Sequence, residues 1–89
     1  MLRMGKNHFA ILLRLYLKKD KRMLYSEARK ITGGPYYYTE SILLDLKKEG
    51  LITEKREGRR RWIVLTKKGE EIARFFYERA VRKMEEESA

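Results

Sequence analysis

The stretch Thr32-Gly33-Gly34-Pro35 is the one concentrated turn signal in the chain, and it lies between two segments with helical patterning. Glycine enters left-handed backbone without steric cost, and proline at the head of a helix lacks an N–H that would have no partner there. Ahead of the turn, Ser26 is placed to cap a short helix over residues 27–31, with Glu27 in the first turn where a carboxylate suits the helix dipole. After the turn, Thr39, Ile42, Leu43 and Leu46 recur at helical spacing within residues 36–49, and Gly50 is placed to end that helix in a left-handed conformation. Two short helices about a tight glycine turn thus occupy the centre of the sequence, and the rest of the chain must pack around them.

The flanks carry their own signatures. Asn7 fits the N-cap of a helix over about residues 7–19, in which Phe9, Ile11, Leu12, Leu13, Leu15, Tyr16 and Leu17 cover nearly every side. A surface helix normally shows one apolar stripe, so this one has to be buried on more than one face. The basic break Lys18-Lys19-Asp20-Lys21-Arg22 ends it, and Met23-Leu24-Tyr25 reads as a brief strand. Residues 51–56 and 60–65 flank a Glu57-Gly58-Arg59 turn and form a β-hairpin. Thr66 then caps a last helix to about residue 86, and the acidic tail over 85–89 is expected to fray. The order is helix, strand, helix, helix, strand, strand, helix: a mainly α chain with a small β-hairpin (α+β), read as a single domain over residues 1–89.

Charge narrows the partner. Twenty-two Lys and Arg against thirteen Asp and Glu give a net +9, which favours a polyanion, nucleic acid ahead of an anionic membrane surface. Residues 18–68 carry +8 of this and residues 69–89 carry −2, so the positive field lies in the middle of the chain. There is no cysteine, hence no disulfide or thiolate metal site, and the lone His8 has no spaced carboxylates around it to make a metal site. No cofactor is expected. With one histidine and no glycine-rich phosphate loop opening a helix, nothing assembles a nucleophile, a base and an orienting group, so the chain is not read as an enzyme. No apolar run approaches the ~20 residues of a membrane span. The start Met1-Leu2-Arg3-Met4-Gly5-Lys6 has neither the length nor the small-residue cleavage site of a signal peptide, and the expectation is a cytoplasmic protein. Lys, Arg and Glu are abundant, glutamine is absent and Asn7 is the only asparagine, a profile of hyperthermophile proteins.

Two short helices joined by a tight glycine-containing turn are the helix-turn-helix unit, whose second helix fits a B-DNA major groove. Over residues 26–49 the chain has that unit, and residues 51–65 follow it as a basic hairpin. The run Leu46-Lys47-Lys48-Glu49-Gly50-Leu51-Ile52, and then Gly58-Arg59-Arg60 through Leu65-Thr66-Lys67-Lys68-Gly69, resembles winged helix-turn-helix proteins of the MarR and PadR types and many small archaeal regulators. The resemblance covers roughly residues 9–80. It implies a double-stranded DNA-binding transcriptional regulator in which Tyr36, Tyr37, Glu40, Ser41, Leu44 and Lys48 line the outward face of the recognition helix. It also implies a wing made by Arg56, Arg59, Arg60 and Arg61. Arginine forks onto phosphate oxygens as lysine cannot. One departure stands out: residues 36–49 carry a net −1, with none of the Arg, Asn or Gln that usually read base edges at the leading end. Glu40 would then accept from cytosine, the tyrosines would reach phosphates, and affinity would come mainly from the wing.

Other readings stay open at several residues. Of Tyr36, Tyr37 and Tyr38, at least one is expected in the core and one or two toward DNA; a stacking platform for single strands would need a groove. Trp62 is expected to cover the hairpin or an interface, and His8 to lie at the surface or an interface near the first helix. On the last helix Ile72, Ala73, Phe75, Phe76, Tyr77, Ala80, Val81 and Met84 spread over roughly 240° of circumference, more than one domain face requires. The surplus points to a twofold homodimer made by residues 66–86 with the first helix, through Phe9, Leu13, Tyr16, Phe75, Phe76, Tyr77, Ala80, Val81 and Met84. Any small-molecule effector would bind at that interface. The alternatives are a sequence-nonspecific chromatin protein, favoured by the acidic recognition helix; a protein-interaction module docking through Glu40, Asp45 and Glu49; and, as a minor fourth, an RNA binder.

Overall fold

The computed structural model describes residues 4–88 and has the expected order: α1 (Lys6–Leu17), β1 (Arg22–Leu24), α2 (Tyr25–Thr32), α3 (Tyr36–Lys48), β2 (Ile52–Glu57), β3 (Arg60–Leu65) and α4 (Lys67–Ser88). It is a winged-helix fold of the α+β class. The three strands form one antiparallel sheet in the order β1-β3-β2, with Leu24 opposite Trp62 and Glu57 opposite Arg60.

α1 is the hub. Ile11, Leu12 and Leu15 are fully buried and meet Met23, Ala28, Leu43, Leu46, Leu51, Ile63 and Ala73 in one core. The apolar wrapping of α1 is thus mostly consumed within the chain: α2, α3, β3 and α4 all pack on it, though Leu17 stays 60% exposed. The start of α1 differs from expectation. Gly5, not Asn7, is the N-cap, because His8 at the third helical position turns its Nδ1 back to accept the Gly5 N–H at 3.0 Å. His8 is accordingly buried rather than superficial, and its Nε2 lies 2.9 Å from Asp45 of α3. That geometry uses the imidazole as acceptor at one nitrogen and donor at the other, the division a neutral ring makes. Asn7, freed from capping, donates to the Tyr38 hydroxyl at 2.8 Å.

α2 begins two residues earlier than expected, at Tyr25, a residue that the sequence reading places in the brief strand. Leu24 precedes it, and Ser26 sits inside the first turn with no cap bond from its side chain; Lys18 reaches Glu27 at 2.5 Å instead. α3 ends in a Schellman motif: the Leu51 N–H bonds the Leu46 carbonyl, the Gly50 N–H bonds that of Lys47, and Gly50 takes φ 72°. α4 starts on the same corner. The Thr66 hydroxyl donates to the Gly50 carbonyl at 2.6 Å and accepts from the Gly69 N–H at 3.0 Å, the cap read from sequence. Gly69 is pressed so closely there that a Cβ would lie 2.1 Å from the Leu51 carbonyl oxygen.

From that root α4 runs 22 residues, about 33 Å at 1.5 Å per residue, and gives the molecule its 48 Å long axis. Ala73 is buried, and Phe76 and Tyr77 pack on Phe9 and Tyr16 of α1, with ring centroids 4.7 and 5.6 Å apart. Beyond Tyr77 only Val81, among the described residues, is even half-buried. Among the described residues the helix extends through the acidic end to Ser88, whose hydroxyl bonds the Met84 carbonyl, and Ala89 lies outside them. No described helix is long and apolar enough to cross a membrane.

Candidate nucleic-acid interface

The helix-turn-helix is held by small polar contacts at its turn. Gly33 takes φ 66°, and the Thr32 hydroxyl donates to the Arg29 carbonyl at 3.1 Å. Its oxygen therefore accepts from Thr39, 2.8 Å away and wholly buried, which fixes the first turn of α3 against the end of α2. Gly34 lies beneath Tyr38, where a Cβ would fall 2.6 Å from the ring, so the aromatic covers the turn.

With Thr39, Ile42, Leu43 and Leu46 turned inward, the opposite face of α3 presents Tyr36, Tyr37, Ser41, Leu44 and Lys48 to solvent. This is the division expected from the periodicity. The tyrosines depart from it, since none is in the core. Tyr37 is 76% exposed, Tyr36 rests on the Tyr25 ring at 5.7 Å, and Tyr38 is tied to Asn7. Of residues 36–39 only Thr39, inward as the periodicity predicts, is buried, and its hydroxyl meets that of Thr32.

The wing turns over Gly58 and Arg59, with φ 61° at Gly58, a two-residue connection of the kind that matches strand twist. Arg56, Arg59 and Arg60 are exposed around this tip. Arg61 is different. Its guanidinium donates to Glu54 at 2.9 and 2.7 Å and to both carboxylate oxygens of Glu40, the second of these bonds at 3.0 Å. It also lies 4.6 Å over the Tyr25 ring, and its side chain is only 14% exposed. Lys47 adds a 2.8 Å ion pair to Glu54. The bonds to Glu40, then to Glu54, raise the pKa of Arg61 above its ordinary value. Those from Arg61 hold Glu40 below the usual carboxylate range. Burial pushes Glu54 up, but the bonds from Arg61 and Lys47 outweigh it and leave it lowered as well.

Glu40 and Arg61, both expected to face DNA, are thus engaged with each other. Sequence reasoning missed the cluster, although signals for it exist. Arg61 stands opposite Arg56 on β2, and like charges facing across a ladder need a counter-charge. Glu54, two positions from Arg56, shares that face; Glu40 and Lys47, two helical turns apart, share one side of α3. Trp62 is half-buried as expected, with the Arg22 guanidinium 4.1 Å over its ring. Exposed Arg29, Lys30 and Lys55 add positive charge to the same part of the chain. Among the described residues no group of three potential ligands could hold a metal ion.

The family model described as the DUF6293 C-terminal winged helix domain matches residues 34–77, just short of half the chain. No curated protein matches the sequence. Among solved structures, AbsC, a MarR family transcriptional regulator from Streptomyces coelicolor, is similar with a TM-score of 0.79 and 21% identity over 89% of this chain, which spans only 55% of AbsC. The Staphylococcus aureus MepR–DNA complex is similar with a TM-score of 0.81 and 18% identity, over 96% of this chain and 71% of MepR. AF1382 from Archaeoglobus fulgidus matches along nearly its whole length: TM-score 0.74, 22% identity, 92% of this chain and 91% of that one. At these identities the likeness is one of fold: the chain shares the winged helix-turn-helix fold of these MarR-family regulators.

Proposed function

We propose that the protein binds double-stranded DNA as a homodimer and regulates transcription. The observation that carries this reading is the pairing of two exposed surfaces. The outward face of α3, with Tyr36, Tyr37, Ser41, Leu44 and Lys48, lies on one side, and Arg56, Arg59 and Arg60 stand free at the tip of the hairpin beyond it. A helix of that diameter fits a major groove, and free arginines at its flank suit the adjoining phosphates. The likeness to MepR, solved with DNA, supports the same use.

The dimer reading rests on α4 and α1. Phe9, Tyr16, Phe76 and Tyr77 are partly used within the chain, while Phe75 is 53% and Met84 66% exposed. With Leu13, Ala80 and Val81 they make an apolar strip that a second copy would cover.

Fluorescence anisotropy on random duplex DNA across about 50–300 mM salt tests the DNA reading. Log affinity should fall linearly with log salt, and Arg59→Ala/Arg60→Ala should flatten the slope by about one to two units at roughly 0.9 per phosphate. Absence of binding at the lowest salt would remove the proposal. A second reading, a sequence-nonspecific chromatin protein, is favoured by one observation: the outward face of α3 offers no forked donor, and its one carboxylate near the leading end is occupied by Arg61. Selection from random sequences separates the two, since a regulator enriches one motif and a chromatin protein none. The protein-docking reading loses most of its support, because Glu40 is bound to Arg61 and Asp45 to His8.

A further inference from the structure

We propose that Arg61 is a positioning residue: through Glu40 and Glu54 it locks the wing to the recognition helix and so sets the distance between the two DNA-contacting surfaces. The inference rests on the DNA-binding reading for its purpose, but the lock itself belongs to the free protein.

Four elements converge on one guanidinium. Glu40 comes from the second turn of α3, Glu54 from β2, Arg61 from β3, and Tyr25 from the start of α2. Lys47, two turns along α3 from Glu40, reaches the same Glu54 Oε1 that Arg61 holds. The hairpin is therefore tied to α3 at two points about 10 Å apart along the helix axis, a span set by seven residues at 1.5 Å each. Two points of attachment fix an angle as well as a distance, which a single pair would not. Bidentate arginine–carboxylate bonds are also the most directional ion pairs a protein makes.

The same geometry argues against Arg61 as a phosphate ligand. Turning it outward would break its bonds to two carboxylates and leave Glu40 without a cation and Glu54 with Lys47 alone beside a polyanion, whereas Arg59 and Arg60 are already exposed and have nothing to give up. Glu40, for its part, is withdrawn from base reading.

The test compares wild type, Glu40→Gln, Arg61→Met, the Glu40→Gln/Arg61→Met double variant and the triple variant Glu40→Gln/Glu54→Gln/Arg61→Met. Two measurements apply: amide hydrogen exchange of the free proteins, and anisotropy on a random duplex across salt. The lock predicts that amides of residues 54–61 exchange at least about tenfold faster in Glu40→Gln and Arg61→Met, while those of α1 keep their protection. DNA affinity falls about tenfold in Arg61→Met, and the salt slope stays within half a unit of wild type. In the double variant the two losses combine to less than their sum, the mark of groups in one network. If the wing exchanges at the wild-type rate in both single variants, the lock is refuted. A slope shallower by about one unit in Arg61→Met, or a tighter complex with Glu40→Gln, makes Arg61 a phosphate ligand and overturns the proposal equally. Should Arg61→Met fail to fold, Glu40→Gln, which keeps the Arg61–Glu54 pair, and the triple variant, which leaves no carboxylate unpaired, carry the same comparison. If wild type does not bind DNA, the function fails while the exchange result still decides the lock.

Discussion

The wing and the distal half of α4 both extend beyond the core, and they are finished in opposite ways. The wing is cross-tied at its base by Arg61, Glu40, Glu54 and Lys47, and its tip ends in free arginines. α4 is wedged at its base by Gly69 and Ala73, yet from Phe75 onward it carries Met84, Ala80 and other apolar groups into solvent, with one ion pair, Arg74–Glu70, at its near end. An overhang whose charges are settled internally and whose tip is cationic is complete without a partner and suited to a polyanion. One that leaves apolar surface uncovered is incomplete until another surface meets it.

The contrast breaks most severely at the shared root of the two overhangs. Gly69→Ala drives a methyl into the Leu51 carbonyl, a backbone atom that cannot turn aside, and should cost about 3 kcal/mol or more. At 4–8 °C per kcal/mol for a domain of this size, the melting temperature falls by roughly 12–24 °C in a thermal scan. Next comes the α4 overhang. Phe75→Glu/Met84→Glu should weaken self-association by roughly 30-fold or more, a loss of about 2 kcal/mol at a hot spot, read by sedimentation velocity. The helical circular dichroism of the dilute protein should stay intact. A chain that sediments as a monomer before any substitution would show that the apolar strip serves something other than a second copy.

Smaller effects belong to the recognition face and to pH. Tyr37→Ala/Leu44→Ala should weaken DNA binding several-fold, about 1 kcal/mol, with no change in salt slope, because neither group neutralises a phosphate. An unaltered affinity would mean that α3 does not enter the groove. The Glu40 and Glu54 carboxyls are lowered in the folded protein, so their contribution to stability is present above the unfolded value near 4.5 and is lost as pH falls through their folded values. Denaturant titrations between pH 7 and 3 should therefore show wild type losing more stability below about pH 4.5 than the Glu40→Gln/Glu54→Gln variant, with wing amides losing protection first.

Much of this was legible in the residues. The turn at Gly33-Gly34, the left-handed Gly50, the Thr66 cap and the inward row Thr39, Ile42, Leu43 and Leu46 follow from local rules and periodicity, and the fold followed from their order. What escaped depended on contacts distant in sequence. His8 caps Gly5 locally, but its burial comes with a bond to Asp45, 37 positions on. Arg61 reads as one of three equal arginines until β2 and α3 bring Glu54 and Glu40 beneath it. Aromatic content suggests burial for at least one of the three tyrosines, whereas the position each occupies depends on how α2 and α3 meet. At the candidate interface, then, the sequence distinguished the charged residues from the apolar ones but not the free charges from the tied ones.

The sheet order has one more consequence, for how the chain reaches its fold. β1 is made before the helix-turn-helix and β3 after it, and they pair directly, Leu24 against Trp62, 38 positions apart. The whole recognition unit is therefore a loop closed by a three-residue strand. Drawing such a loop shut removes about 3 kcal/mol of chain entropy before any packing within it is complete. A peptide carrying residues 25–49 alone would lack that closure and the α1 surface on which Leu43 and Leu46 rest, and should not hold the angle between its two helices. The arrangement of α2 against α3 is a property of the closed circuit and cannot be cut out of it.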